Sequence, residues 1–581
     1  MQQIYRDVPP CPFRVRFCSD RRNVSHRTEW NRIVRHCNRL WLRGGNDGLC
    51  HRRDLGLSHQ SGCHHRGSYR IREPAGRPDG RNVEHWLKRK LTIIYPVMTL
   101  RFTVVLMLGV YSLALAPGCA QLLPVPPVKS DLEQGVAVAK QVEEQIGLYA
   151  APQTGEYLRQ VGQRLVAATK DTRWKFSFQI VEQSEPNAFS IPGGGVYVSR
   201  GLLALVTSED ELAGVLGHEI AHVTERHWAR QQREGLLSGV LSLPGNLVGN
   251  VVSENLGDLI NLPVSVAGGA WLSRYSRSQE RDADRIGLRT AAQAGYDPGA
   301  LSTILARLEA DAAAQTGQEP RFSIFDSHPM TESRMRDIQR ELPRIQPEPR
   351  PAIAADPAAF YQKLDGLWWG ENPEAGLFRG NRFVHPALGF TITFPNEWKH
   401  QNTPQVVMAV HPRQEALLLL RVVGPAADPE AAGQKFVERM RSKAQLEPAT
   451  TRKVSLGSAP AFVVTYRDAS GRTPVYLHFA WVALAGKTFQ LIGLAPEKYH
   501  EALRDAALSL RPMTLVEQRA VTGKRLRLVE AKEGERLEDL SARTDNVWTP
   551  SYTALVNGLK AETGLRGGQR LKIAREEHWS P

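Results

Sequence analysis

From residue 120 to its end the chain has no cysteine. This excludes disulfide staples and thiolate metal sites from anything folded there. The six cysteines are Cys11, Cys18, Cys37, Cys50, Cys63 and Cys119. None forms a C-x2-C pair, so the first five, even with His51, His64 and His65 nearby, lack the close spacing of a zinc module. An excess of positive charge is also missing from most of the chain. Residues 1–97 hold 20 Lys and Arg against 8 Asp and Glu, which is +12 of the formal +14. A basic leader is no argument for nucleic-acid binding by the rest, and no nucleic-acid partner is expected. Long apolar runs are absent too. The stretch 102–116 falls short of the roughly 20 residues that span a bilayer.

What is present begins with targeting. Residues 1–97 keep no period of 3.6 or 2. Arg101 followed by the apolar stretch 102–116 is the pattern of a secretion signal over 98–119. Such a signal belongs at an N-terminus, so 1–97 reads as an upstream leader from a misplaced start codon, with translation expected from Met98. Leu115, Ala116, Pro117 and Gly118 before Cys119 loosely match a lipobox. Lipidation of Cys119 implies a lipoprotein anchored to the outer membrane; the alternative is ordinary cleavage after Ala116.

A Pro-rich tether, 120–130, leads to two amphipathic helices over 131–170, with Val136, Val138, Val142 and Ile146, then Leu158, Val161 and Leu165, on their apolar faces. Residues 175–181 alternate as a strand, 187–201 are Gly-rich and strand-like, and a helical region runs to about 343. A Pro- and Ala-rich linker opens at 344. Strands are predicted at 390–394, 417–423, 461–466, 475–484 and 489–494, with helices at 429–443 and 496–510.

The chemistry concentrates on one helix. Ser208 with Glu211 three residues on starts it, and Leu212, Val215, Leu216, Ile220 and Val223 recur at helical spacing. His218-Glu219-Ile220-Ala221-His222 lies on it. Four residues turn a helix by about 400°, so both imidazoles leave one face and can share a metal ion. Glu219 is displaced by about 100° and can act on a water beside the metal without ligating it. A catalytic zinc needs a third protein ligand. A second helix opens at Ser276, carries Ala283, Ile286, Gly287 and Ala291 on its apolar side, and ends near Gly295. Glu280 and Asp284 share one of its faces. Glu280 can ligate, and Asp284 can accept the free N–H of a ligating histidine. The bland alternative pairs both carboxylates with Arg277, Arg281 and Arg285 on a solvated face.

H-E-x-x-H, then S-R-x-x-E-x-x-A-D, preceded by Asn187-Ala188-Phe189-Ser190-Ile191-Pro192-Gly193-Gly194-Gly195 and followed by Ser327-His328-Pro329 with Arg334, resembles the zinc endopeptidase family of HtpX and the CAAX prenyl proteases, in its soluble periplasmic branch typified by BepA and LoiP. The likeness covers roughly 130–340. It implies one zinc on His218, His222 and Glu280, Glu219 as the base, His328 and Arg334 as candidate oxyanion donors, and Asp284 behind the ligands. A loop His328 is expected to hold the fourth zinc position at rest and to swing aside when substrate enters. The strand near 194–199 is expected to offer its edge to an extended peptide. The stretch 236–272, which spans the bilayer in HtpX-like relatives, is interrupted here by Pro244, Glu254, Asp258 and Pro263 and reads as a helical lid. The tetratricopeptide array of BepA is absent.

The tail, with Leu526–Val529, Gly534, Leu537, Leu540, Leu555, Leu559 and 567–573, resembles a LysM module. Glu535 and Arg536 replace that module's usual Asp-Thr. The likeness implies peptidoglycan as a partner and a detachable unit. The expected fold is therefore α+β and multidomain: a mostly helical zincin-type peptidase domain with a small edge-strand sheet at 131–343, a linker at 344–379, an α+β domain at 380–512 and a β-α-α-β module at 524–574. The expected function is a periplasmic zinc endopeptidase acting on unfolded or misassembled envelope polypeptides. The alternative is a chaperone or peptidoglycan-anchored scaffold with a structural metal.

Overall fold

The computed structural model describes residues 127–233, 275–314, 324–329, 332–354, 356–456, 459–469 and 473–580. The leader, the signal segment, Cys119 and the stretch 236–272 lie outside the described residues.

Two amphipathic helices open the described chain, α1 (Val128–Gln145) and α2 (Pro152–Thr169). Val138 and Val142 face the core as expected, but Val136 is exposed. Its 100° step from the buried stripe carries it into solvent. A three-stranded sheet follows: β1 (Ser177–Val181), β2 (Ala188–Ser190) and β3 (Gly195–Ser199), in the order β1-β3-β2. β3 runs parallel to β1 and antiparallel to β2. The expectation that 194–199 offers a free edge is therefore corrected: β3 is the middle strand, paired on both sides. The free edge beside the site belongs to β2.

Helices α3 (Arg200–Leu205), α4 (Glu209–Thr224), α5 (His227–Arg233), α6 (Arg277–Gln293), α7 (Ala300–Ala314), α8 (Ile324–Ser327) and α9 (Glu332–Glu341) complete this part. Ser208 caps α4 by accepting from the Glu211 N–H. The Glu211 carboxylate accepts from Thr207 N–H and Arg307 instead of closing a full capping box. Among the described residues, no helix is long and apolar enough to cross a membrane.

The stretch 344–379, expected as a linker, is largely built into the structure. Its first part is stapled to the start of α4, where Ile353 and Ala354 donate N–H groups to the Glu209 carboxylate at 2.8 and 2.6 Å. It then forms α10 (Pro357–Gln362), β4 (Trp368–Trp369) and β5 (Leu377–Arg379). Phe360, Leu364 and Leu367 join the same core as Leu158 and Leu216. Prolines break regular pairing there, but the apolar residues between them still find partners.

Next comes the predicted α+β part. β6 (Arg382–His385) pairs with β5 on one side and with β7 (Phe390–Thr393) on the other. β8 (Lys399–Asn402), β9 (Val407–Val410) and β10 (Leu417–Pro425) precede α11 (Pro429–Ala444). β11 (Thr450–Leu456), β12 (Ala459–Asp468), β13 (Val475–Leu484) and β14 (Lys487–Pro496) follow. These seven strands form one antiparallel sheet, β11-β12-β13-β14-β10-β9-β8, with apolar clusters on both faces. Helix α12 (His500–Leu508), strand β15 (Arg511–Pro512) and helix α13 (Leu515–Arg519) close this part. The strong β propensity of β10, β13 and β14 made them readable, whereas the short β6, β8 and β9 carried no period to read.

The tail has the order β16 (Thr522–Glu530), α14 (Leu537–Thr544), α15 (Pro550–Val556), β17 (Arg570–His578), with β16 and β17 antiparallel. It is not detachable. β16 also pairs with β4, and Leu526, Trp548, Val556 and Ala574 share the core of α2 and α4. The fully buried Lys572 ammonium group donates to the carbonyls of Ala204 and Val206 at 2.8 and 2.6 Å, where α3 ends and the loop to α4 begins.

Candidate metal centre

The site begins with a close crossing of α4 and α6. A Cβ added at Gly287 would lie 2.8 Å from His218 N, and one at Gly217 would lie 3.0 Å from the Gly287 carbonyl oxygen. Only two glycines allow backbones to approach this closely. α6 starts with a full capping box between Ser276 and Gln279, and ends where Gly295 takes φ 90°, the usual helix stop. The crossing lays Glu280 and Asp284 against His218 and His222.

His218, His222, Glu280 and His328 form one buried group, each offering a ligand atom within 4.8 Å of the others. His218 Nε2 lies 3.0 Å from His222 Nε2 and 3.3 Å from His328 Nδ1. His328 Nδ1 is 3.0 Å from Glu280 Oε1, and His222 Nε2 is 3.4 Å from the same oxygen. All three expected ligands therefore converge, and the loop histidine joins them. The other nitrogen of His218, Nδ1, faces Asp284 Oδ1 at 3.0 Å. An ionised carboxylate only accepts, so Nδ1 carries the proton and the Nε2 lone pair points at the cluster.

Arg334 reaches Asp284 through Nε at 2.6 Å and Nη2 at 2.8 Å, and places Nη1 2.8 Å from Glu280 Oε2. The bland pairing with Arg277, Arg281 and Arg285 is not what forms; Arg285 pairs with the exposed Asp282. Arg334 was expected as an oxyanion donor. Its guanidinium pairs with two buried carboxylates, Asp284 and Glu280, and offsets part of their charge. Burial alone would raise the Glu280 carboxyl, but His328 and Arg334 hold it well below the usual carboxylate range. Burial likewise opposes the charge on Asp284, and Arg334 overcomes it. Burial pushes His222 well below the ordinary histidine value, which keeps it neutral and able to ligate.

Glu219 has two distinct oxygens. Oε2 accepts from the Ser190 hydroxyl at 2.9 Å. Oε1 is buried without a hydrogen-bond partner among the described residues, 3.5 Å from His328 Nε2, which is also unpartnered. Ring nitrogens of His218 and His222 converging on a carboxylate, with orphaned polar atoms beside them, fit a cation held by His and carboxylate donors.

Three residues of the site escaped sequence reasoning. His227 Nδ1 lies 2.9 Å from His222 Nδ1. Five residues along a helix would point it elsewhere, but Arg226 at φ 54° breaks the helix and turns the chain back. The two short bonds of Arg226 to Asp131, at 2.8 and 2.9 Å, hold that turn. Tyr275, just before the Ser276 cap, stacks on His222 with ring centroids 3.9 Å apart. Ser190 is the third; no spacing rule links β2 to α4.

A family model described as Peptidase family M48 matches residues 152–342. The beta-barrel assembly-enhancing protease of Yersinia pestis is 31% identical over 227 residues, 38% of this chain and 46% of that protein. A putative beta-barrel assembly-enhancing protease of Vibrio cholerae is 33% identical over 254 residues, 43% of this chain and 51% of its own length. The mitochondrial metalloendopeptidase OMA1 of Schizosaccharomyces pombe is 32% identical over 198 residues, 33% and 53% of the two chains. The chain thus spans about half the length of the curated relatives it matches.

Proposed function

Since a family model described as Peptidase family M48 matches residues 152–342, we propose that this chain is a zinc-dependent endopeptidase of the bacterial cell envelope that cleaves unfolded or misassembled polypeptides. The observation that carries this reading is Glu219 Oε1, a buried carboxylate oxygen without a hydrogen-bond partner among the described residues, next to the cluster of His218, His222 and Glu280. A merely structural metal site would not need it. His218, His222 and Glu280 would hold the zinc ion, which would supply Lewis acidity of the kind that lowers the pKa of a water from ~15.7 to about 7.

The rest of the chemistry belongs to the side chains. Glu219 takes a proton from the attacking water and delivers it to the leaving amine. Asp284 fixes the His218 tautomer and His227 does the same for His222. Arg334 balances the charge of Glu280 and Asp284. His328 stands at a fourth place in the cluster, blocks it at rest and, once displaced, donates to the oxyanion. The substrate backbone adds to the β2 edge. Ser199 N–H bonds to the Asn187 carbonyl and Ile191 N–H to the Gly195 carbonyl, so residues 187, 189 and 191 face β3. Ala188 and Ser190 turn their backbone groups outward, in register for an extended peptide. Main-chain recognition asks little of substrate side chains, which suits a quality-control peptidase.

The zincin-type architecture and the LysM-like reading of 522–578 are part of this proposal. So are peptidoglycan as a partner, a periplasmic location and lipidation of Cys119. A direct test is casein hydrolysis by the full chain before and after chelation. Loss on chelation and recovery with zinc are expected; hydrolysis that ignores the chelator would refute the reading.

A further inference from the structure

The edge strand and the base meet at one side chain. Ser190 is the last residue of β2, and its hydroxyl donates to Glu219 Oε2 at 2.9 Å. The hydroxyl is the donor, so the single Ser190 proton is committed to Glu219. Both residues are buried. Tyr275 of the same site is fixed by stacking on His222 and by its N–H, which donates to the Ser327 carbonyl at 3.1 Å.

We propose that Ser190 is a positioning residue for Glu219: it ties down Oε2 and leaves Oε1 as the oxygen that exchanges the proton. This rests on the peptidase reading above and extends it to a coupling. The backbone of Ser190 faces the free edge of β2 while its side chain holds the base. A peptide that adds to this edge therefore lies against the strand that aims Glu219. Unbound, Glu219 can rotate and present either oxygen; held, it presents one, at the distance that proton transfer requires.

The test uses the full chain, labelled casein as substrate, and three proteins: wild type, Ser190→Ala and Ser190→Thr. Removing the hydrogen bond to Glu219 is expected to lower kcat by about tenfold or more in Ser190→Ala. KM and zinc content should stay at wild-type values. Ser190→Thr, which keeps the hydroxyl, should recover activity. An unchanged kcat in Ser190→Ala would overturn the assignment, as would a loss accompanied by loss of zinc or a raised KM. A wild-type protein that cleaves no casein would instead overturn the peptidase reading itself, and elemental analysis of the same samples separates the two failures.

Discussion

His222 and His227 meet nitrogen to nitrogen, Nδ1 to Nδ1, 2.9 Å apart. A histidine that binds metal through Nε2 must place its proton on Nδ1, and here the acceptor for that proton is a second imidazole instead of a carboxylate. His227 can accept because burial holds it near pKa 4, hence neutral at physiological pH. His227→Ala is expected to weaken zinc binding by about 10–100-fold with little loss of fold. Competition with a chromophoric chelator measures this directly, and unchanged affinity would remove His227 from the site.

His328 is tested by the sign of its effect. The ring lies among the ligand atoms and also within 3.5 Å of Glu219. If blocking dominates, His328→Ala raises cleavage of folded bystander proteins. If oxyanion donation dominates, turnover on casein falls by about 10²–10³-fold. Equal activity on both substrates would deny it either role.

Lys572 joins the last strand to the start of the ligand-bearing helix. Its substitution by Met keeps most of the stem but strands the Ala204 and Val206 carbonyls. A loss of about 2 kcal/mol or more is expected, read as a lower midpoint in urea. Deleting 515–581, which would be harmless for a detachable module, should leave an insoluble or unfolded chain, because β4 and the shared core lose their partners. A soluble, active truncation would contradict the integrated architecture.

Stability should also depend on pH in a defined window. Burial pushes His385 and His478 down to about 4, against about 6.5 in the unfolded chain. Between these values the unfolded state binds more protons, so stability rises with pH there. It is fully present above about 6.5 and is lost as pH falls towards about 4. Melting curves of the metal-free protein across this range, compared with the His385→Asn, His478→Asn double variant, should show a flatter slope in the variant.

What the sequence made legible was governed by helical geometry. His218 with His222, and Glu280 with Asp284, sit four residues apart, and that spacing alone puts each pair on one face. What it hid was set by chain reversals and strand order. His227 reaches the site only through the left-handed turn at Arg226. Ser190 does so only because β2, and not β3, lies at the sheet edge, which no local pattern encodes. Arg334 was found by motif, but its pairing with Asp284 and Glu280 was not legible in the sequence. The linker at 344–379 misled because proline content describes backbone freedom and says nothing of the pockets waiting for Phe360 and Leu364.

The central claim is that Glu219 acts on the proton while His218, His222 and Glu280 hold the metal. The measurement that separates these tasks is zinc content and casein turnover on the same preparations of Glu219→Gln and His218→Ala. The account predicts about one zinc per chain and no turnover in Glu219→Gln, and neither zinc nor turnover in His218→Ala. Near-wild-type turnover in Glu219→Gln, or full zinc in His218→Ala, would contradict it.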